Sequence, residues 1–152
     1  MNKSQLKQEL YNQCCAFVND RLVAIQKTIN EIQESLTSET KSSAGDKHET
    51  GRAMLQLERE KAGQQLAEIQ KINQLLSKID ISKTTEIISL GSLVFTSNIN
   101  YFITISAGEL KEENQSFYAI SAQTPIAKLL LGKQVGDEVR FRDQKFTITE
   151  IG

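Results

Sequence analysis

The sequence predicts an α+β protein. An N-terminal antiparallel coiled-coil helical hairpin spans residues 1–80, with its tip at 41–51, and a mainly antiparallel sheet with one short helix spans 84–152. Three observations carry this. Residues 2–40 contain neither Pro nor Gly and show an apolar stripe at helical spacing. A second stripe of the same period follows a short polar break. Beyond residue 83, β-branched and aromatic residues come in short runs separated by turn-formers.

In the first helix the stripe is Leu6, Leu10, Cys14, Phe17, Leu22, Ile25, Ile29, Ile32 and Leu36. Steps of three and four keep these residues on one face, and Lys, Glu, Gln and Asn fill the other. Such a helix, on the order of 55 Å long, needs a partner along most of its length. The second helix, from about Glu49 to Ile79, supplies one with Met54, Leu57, Ala62, Leu66, Ile69, Ile72, Leu76 and Ile79. A short connection makes the two antiparallel neighbours. Gly63, which weakens its helix by about 1 kcal/mol relative to Ala, reads as a point of close helix–helix approach, with a simple tolerated defect as the alternative.

The break itself, KSSAG at 41–45, reads as the loop. Asp46 with Glu49 three residues on matches a capping box, with Asp at the N-cap. That is the structural reading of these two acids. The functional reading is chemistry at the end of an arm.

Asp80–Thr85 is polar, without a stripe, and reads as the linker. Candidate strands follow at Leu93–Thr96, Tyr101–Ile105, Phe117–Ile120, Glu138–Phe141 and Phe146–Thr149, with Glu109–Ser116 as a polar loop. The last two strands read as a hairpin across Arg142–Lys145. One helix interrupts them: Thr124 can cap it, Pro125 suits its first position and Gly132 can end it.

Composition narrows the function classes. The chain has 152 residues and a formal net charge of -1, with a pI near 5.9, which does not suggest a protein that coats nucleic acid. No apolar run approaches a membrane span and the start is no signal peptide, so a cytoplasmic location is expected. Cys14 and Cys15 are neighbours with no His at ligand spacing, so a zinc site is not expected. There is no Gly-rich phosphate loop and no nucleophile with a plausible base.

Several of these segments resemble one family. Residues 124–137, TPIAKLLLGKQVGD, are similar to the S-P-I-A-x-A-L-x-G-K-x-x-G-D signature of the Gre-type bacterial transcription elongation (transcript cleavage) factors. Gly91-Ser92-Leu93-Val94 resembles the G-S-x-V that opens the first strand of the same domain. The tip, Gly45-Asp46-Lys47-His48-Glu49, is similar to G-D-x-S-E-N. The order of the segments covers essentially the whole chain, as in a divergent member.

The resemblance implies an FKBP-like C-terminal domain and a monomer that binds RNA polymerase at its secondary channel. DNA and nascent RNA would be indirect partners, and no membrane is involved. It implies that Asp46 and Glu49 help hold a Mg²⁺ shared with the polymerase, which then cleaves its own backtracked RNA; the factor binds no cofactor alone and is not itself the enzyme. Thr124, Pro125, Ile126 and Lys128 would face the polymerase, and His48, Arg52 and Arg59 are candidate RNA or channel contacts. The solvated-face reading of these basic residues stands beside that. The sequence departs from the family where His48 replaces Ser and where Thr50-Gly51-Arg52-Ala53 replaces N-A-E-Y. A channel-binding regulator or inhibitor without cleavage activity therefore remains an alternative, as does a plain coiled-coil scaffold.

Overall fold

The structure, a computed structural model, describes the backbone of residues 2–41 and 46–152 and the side chains of 2–38 and 50–152. Helix α1 spans Lys3–Lys41 and α2 spans Asp46–Lys78. At the start of α1, Asn2 Oδ1 accepts from the Gln5 N–H at 2.8 Å and Gln5 Oε1 accepts from the Asn2 N–H at 3.1 Å. This is a reciprocal capping box, at a site the sequence reading passed over. The box expected at Asp46 and Glu49 lies outside the described side chains.

The chain forms two compact units. One comprises residues 18–73; the other joins residues 1–17 to residues 74–152. The division cuts the helices rather than falling at the linker.

In the 18–73 unit the helices run antiparallel, for Arg52 meets Leu36, and Leu22 shares a groove with Leu66 and Gln70. Ile25, Ile29, Ile32, Leu36 and Ala62 are buried together, with Leu55, Leu66 and Ile69 packed on them. The stripe of α2 thus runs through Leu55, Ala62, Leu66 and Ile69. Met54 and Leu57, expected on it, are 60% and 66% exposed. Leu55 occupies the seam, and at 100° per residue its neighbours at 54 and 57 rotate away from it. Gly63 also differs from expectation. A Cβ there would meet Nη1 of Arg59, in its own helix, at 3.2 Å, and not a residue of α1.

The other unit is built on a six-stranded sheet. Its strands are β1 (Leu93–Thr96), β2 (Asn100–Thr104), β3 (Gly108–Glu112), β4 (Gln115–Ser121), β5 (Glu138–Phe141) and β6 (Gln144–Ile151), ordered β3-β4-β2-β1-β6-β5. The sheet is mixed: β2 and β4 pair in parallel and the other neighbours are antiparallel. Strand β2 is buried on both faces. Tyr101 and Ile103 join Val94, Phe146, Ile148 and the short helix α3 (Pro125–Leu130) in one cluster. Phe102 and Thr104 point to the opposite face, where Cys14 Sγ of α1 lies 3.6 Å from Thr104 Oγ1. The sheet is therefore covered by α3 on one side and by the beginning of α1 on the other, a three-layer arrangement.

Candidate functional site

Helix α2 begins at Asp46, so the backbone of Asp46 and Glu49 lies in its first turn. The side chains of Asp46, His48 and Glu49, the expected catalytic pair and its neighbour, lie outside the described residues. Immediately behind them, Thr50 is exposed and Gly51 and Arg52 are half-buried. Arg52 Nη1 donates to the Leu36 carbonyl of α1 at 3.4 Å. Arg59, one heptad on, is also half-buried and lies back along its own helix over Gly63. Both arginines thus lie at helical spacing with the seam residues Leu55 and Ala62 and are partly covered.

The second candidate surface surrounds α3. Thr124 caps the helix: its Oγ1 accepts from the Ala127 N–H at 3.3 Å and donates to the Ser121 carbonyl at 2.9 Å. Pro125 occupies the first turn, where its missing N–H costs nothing. Ile126 does not face outward. It is buried with Ala127 and Leu130 in the core, so its side chain cannot be part of an exposed binding surface. Pro125, Lys128 and Leu129 are the exposed residues of this helix.

The rest of the 124–137 segment also does structural work. Gly132 and Gly136 take positive φ of 87° and 93°, which side-chain-bearing residues rarely adopt. The Gly132 N–H donates to the Ile88 carbonyl and the Ile88 N–H to the Lys133 carbonyl, each at 2.9 Å, fixing the approach to β1. Asp137 closes the turn, its carboxylate accepting from the Gln134 N–H at 2.7 Å. The motif that carries the resemblance is thereby explained largely as a fold-building motif.

No family model matches the chain, and no curated protein does. Among solved structures, that of the transcription factor Gfh1 is similar. The two are 20% identical, over 93% of this chain and 92% of that one, with a TM-score of 0.35.

Among the described residues no three His, Cys, Asp or Glu side chains gather as a metal site, and no helix is long and apolar enough to cross a membrane. Asp46 and Glu49 are hard oxygen donors of the kind Mg²⁺ accepts, but two carboxylates are too few to hold it alone. The perturbed groups lie elsewhere. Burial pushes the Cys14 thiol up to about 11, against a weaker opposing hydrogen bond from Thr104. Burial also lowers Lys7, whose Nζ donates to the Lys83 carbonyl at 3.0 Å and the Gly152 carbonyl at 3.3 Å. Lys7 falls one residue after Leu6 on the apolar stripe, and nothing in its spacing marks it as buried.

Proposed function

We propose that this protein is a transcription factor of Gre type that binds RNA polymerase through its secondary channel. In this reading the turn at Asp46 and Glu49 assists polymerase-catalysed cleavage of backtracked RNA. One observation supports it above the rest: α1 and α2 pair antiparallel along residues 25–69 and α2 begins at Asp46. A hairpin ending in two carboxylates is the geometry that such a tip requires. The exposed Pro125 and Lys128, with the capping Thr124, are the proposed docking residues of α3.

The division of labour follows from ligand chemistry. Asp46 and Glu49 would contribute oxygen ligands to a Mg²⁺ shared with the polymerase. An ion so shared would supply charge stabilisation to an in-line displacement. The factor orients and the polymerase catalyses.

The test uses purified core polymerase halted in a backtracked complex. The protein should accelerate release of the 3′ RNA fragment, and the D46A/E49A double variant should abolish that acceleration while melting within a few degrees of wild type. A lost cap costs about 1 kcal/mol, so a melting change alone, with no effect on polymerase, would leave only the scaffold reading. Binding without accelerated cleavage favours the second reading, a channel-occupying regulator. The observation on its side is Arg52, a cation engaged with α1 where the family carries an acid.

A further inference from the structure

Among the described residues Lys7 is the one buried side chain that carries a charge. Taking a cation out of water is costly, so its place calls for a reason. Its ammonium joins α1 to two other segments of the same unit. It donates to the Lys83 carbonyl, in the segment after α2, and to the Gly152 carbonyl, just past β6. Among the described residues, the bond to Lys83 is the only hydrogen bond that ties residues 80–87 to another element.

The start of α1, residues 3–17, lies over the sheet. Cys14 Sγ is 3.6 Å from Thr104 Oγ1 of β2, and Gln13 Nε2 donates to the Lys111 carbonyl of β3 at 3.0 Å. Leu10, one turn before Cys14 on the same side of the helix, is fully buried. Beneath is an apolar sheet face. Leu93 and Phe102 are register partners, and from the Phe102–Ala119 pairing Phe117 falls on the same side. All three are fully buried. The cluster on the opposite face, around α3, contains no residue of α1, so that half of the sheet's packing does not depend on the cover.

Hydrocarbon contact is non-directional, so an apolar stripe on an apolar face tolerates sliding and rotation. Lys7 does not tolerate them. Its two acceptors come from different segments and converge on one ammonium. Sliding α1 by one helical turn, about 5.4 Å, takes the ammonium out of reach of both and leaves a buried cation unsatisfied.

We infer that Lys7 is a latch. It seats residues 3–17 as a cover over the Leu93, Phe102 and Phe117 face and ties the 80–87 segment to that cover, and its release lifts the cover while the sheet stays paired. This rests on the fold of the unit and not on the polymerase reading.

Cys14 is the built-in reporter, because it is buried under the cover against Thr104. In the full chain carrying C15S it is the only thiol. Native alkylation by iodoacetamide at pH 8 is followed beside hydrogen exchange of residues 100–104 and 115–121. K7M keeps the stem and removes the donors. It is expected to speed labelling by about 10- to 100-fold, the size of a lost charge-assisted hydrogen bond, while those amides change less than about 3-fold. K3M removes the Lys3–Glu150 ion pair, which is about half exposed, and should change the labelling rate less than about 2-fold. In wild type, the slow labelling of Cys14 should be nearly independent of urea well below the unfolding transition, as local opening is, and the 100–104 amides should not share that independence. This arm decides the case if K7M does not fold.

An unchanged labelling rate in K7M overturns the latch. So does a rate that rises only in step with exchange in β2 and β4, which is global destabilisation. A K3M effect as large as that of K7M overturns it too, since the seat would then belong to any cation on this part of the helix. Wild-type labelling with the full urea dependence of global unfolding overturns the cover itself.

Discussion

Lys7 and Cys14 have their properties set by what covers them. Lys7 is 3% exposed, and two carbonyls occupy its ammonium. Burial disfavours its charged form, and the Asp80 carboxylate only partly offsets this, so its folded-state pKa lies below 10.5. The unfolded chain then binds more protons between the folded pKa and 10.5, and stability rises with pH across that window. Urea unfolding of wild type and K7M between pH 8 and 10 should show wild type gaining stability relative to the variant. A constant difference would mean that the ammonium is not desolvated. Cys14, buried with its thiol pushed up to about 11, should resist alkylation in the native state, whereas the exposed Cys15 should react. A thiol titration at pH 8 should find one fast-reacting group, absent in C15S, and a second only after denaturation. Two fast groups would contradict the burial of Cys14.

Among the elements, α2 offers the clearest test. Gly63 costs its helix about 1 kcal/mol relative to Ala, and the only near neighbour of an added Cβ is the mobile end of Arg59 at 3.2 Å. A shift of a few tenths of an ångström accommodates it. Gly63→Ala should therefore stabilise the protein by about 0.5–1 kcal/mol, read from the helical melt at 222 nm. A lower melting temperature would show that Arg59 cannot yield.

The same element shows how far the sequence could be read. Period and breaker content made both long helices legible, and the Thr124–Pro125 start of α3 was legible from cap chemistry. The face of α2 near its start was not. Met54 and Leu57 offer apolar candidates at helical spacing, and only packing selects Leu55 over them. Strand β3 was missed because an edge strand needs one buried side chain, here Leu110, and its charged neighbours look like loop. Its turn, Glu113 and Asn114 at φ 51° and 63°, is the left-handed pair a two-residue hairpin needs, and Glu is an unusual residue to find there. Of the candidate site, the cap and turn residues of the α3 motif could be named in advance, and the acids lie outside the described side chains. The burial of Ile126 and the seam position of Arg52 could not, because both depend on which face of a helix meets a neighbour.

At the scale of the whole molecule, the two units hold very different amounts of core. Among the described residues, only Val18, Ile25, Ile29, Ile32, Leu36 and Ala62 are buried apolar side chains of the 18–73 unit. The other unit holds the remainder, including β2, buried on both faces, and the cluster around α3. Local unfolding free energy tracks buried apolar contacts, so backbone amides of residues 18–73 should exchange with solvent hydrogen well before those of β1, β2 and β4. Hydrogen-exchange mass spectrometry in increasing urea should show the hairpin peptides losing protection at lower denaturant than peptides covering 93–104 and 115–121. A single shared midpoint would mean that the thin seam is coupled to the larger core. Under the proposed function, a polymerase that receives the hairpin would stabilise its folded form by mass action, RT ln(1 + [L]/Kd), or about 2.7 kcal/mol at a hundredfold excess over Kd. Core polymerase at that excess should therefore slow exchange along residues 18–73, and not only over α3. Protection confined to α3 and its neighbours would mean that the globular unit docks while the hairpin stays outside, and a cleavage role for Asp46 and Glu49 would then have no physical route.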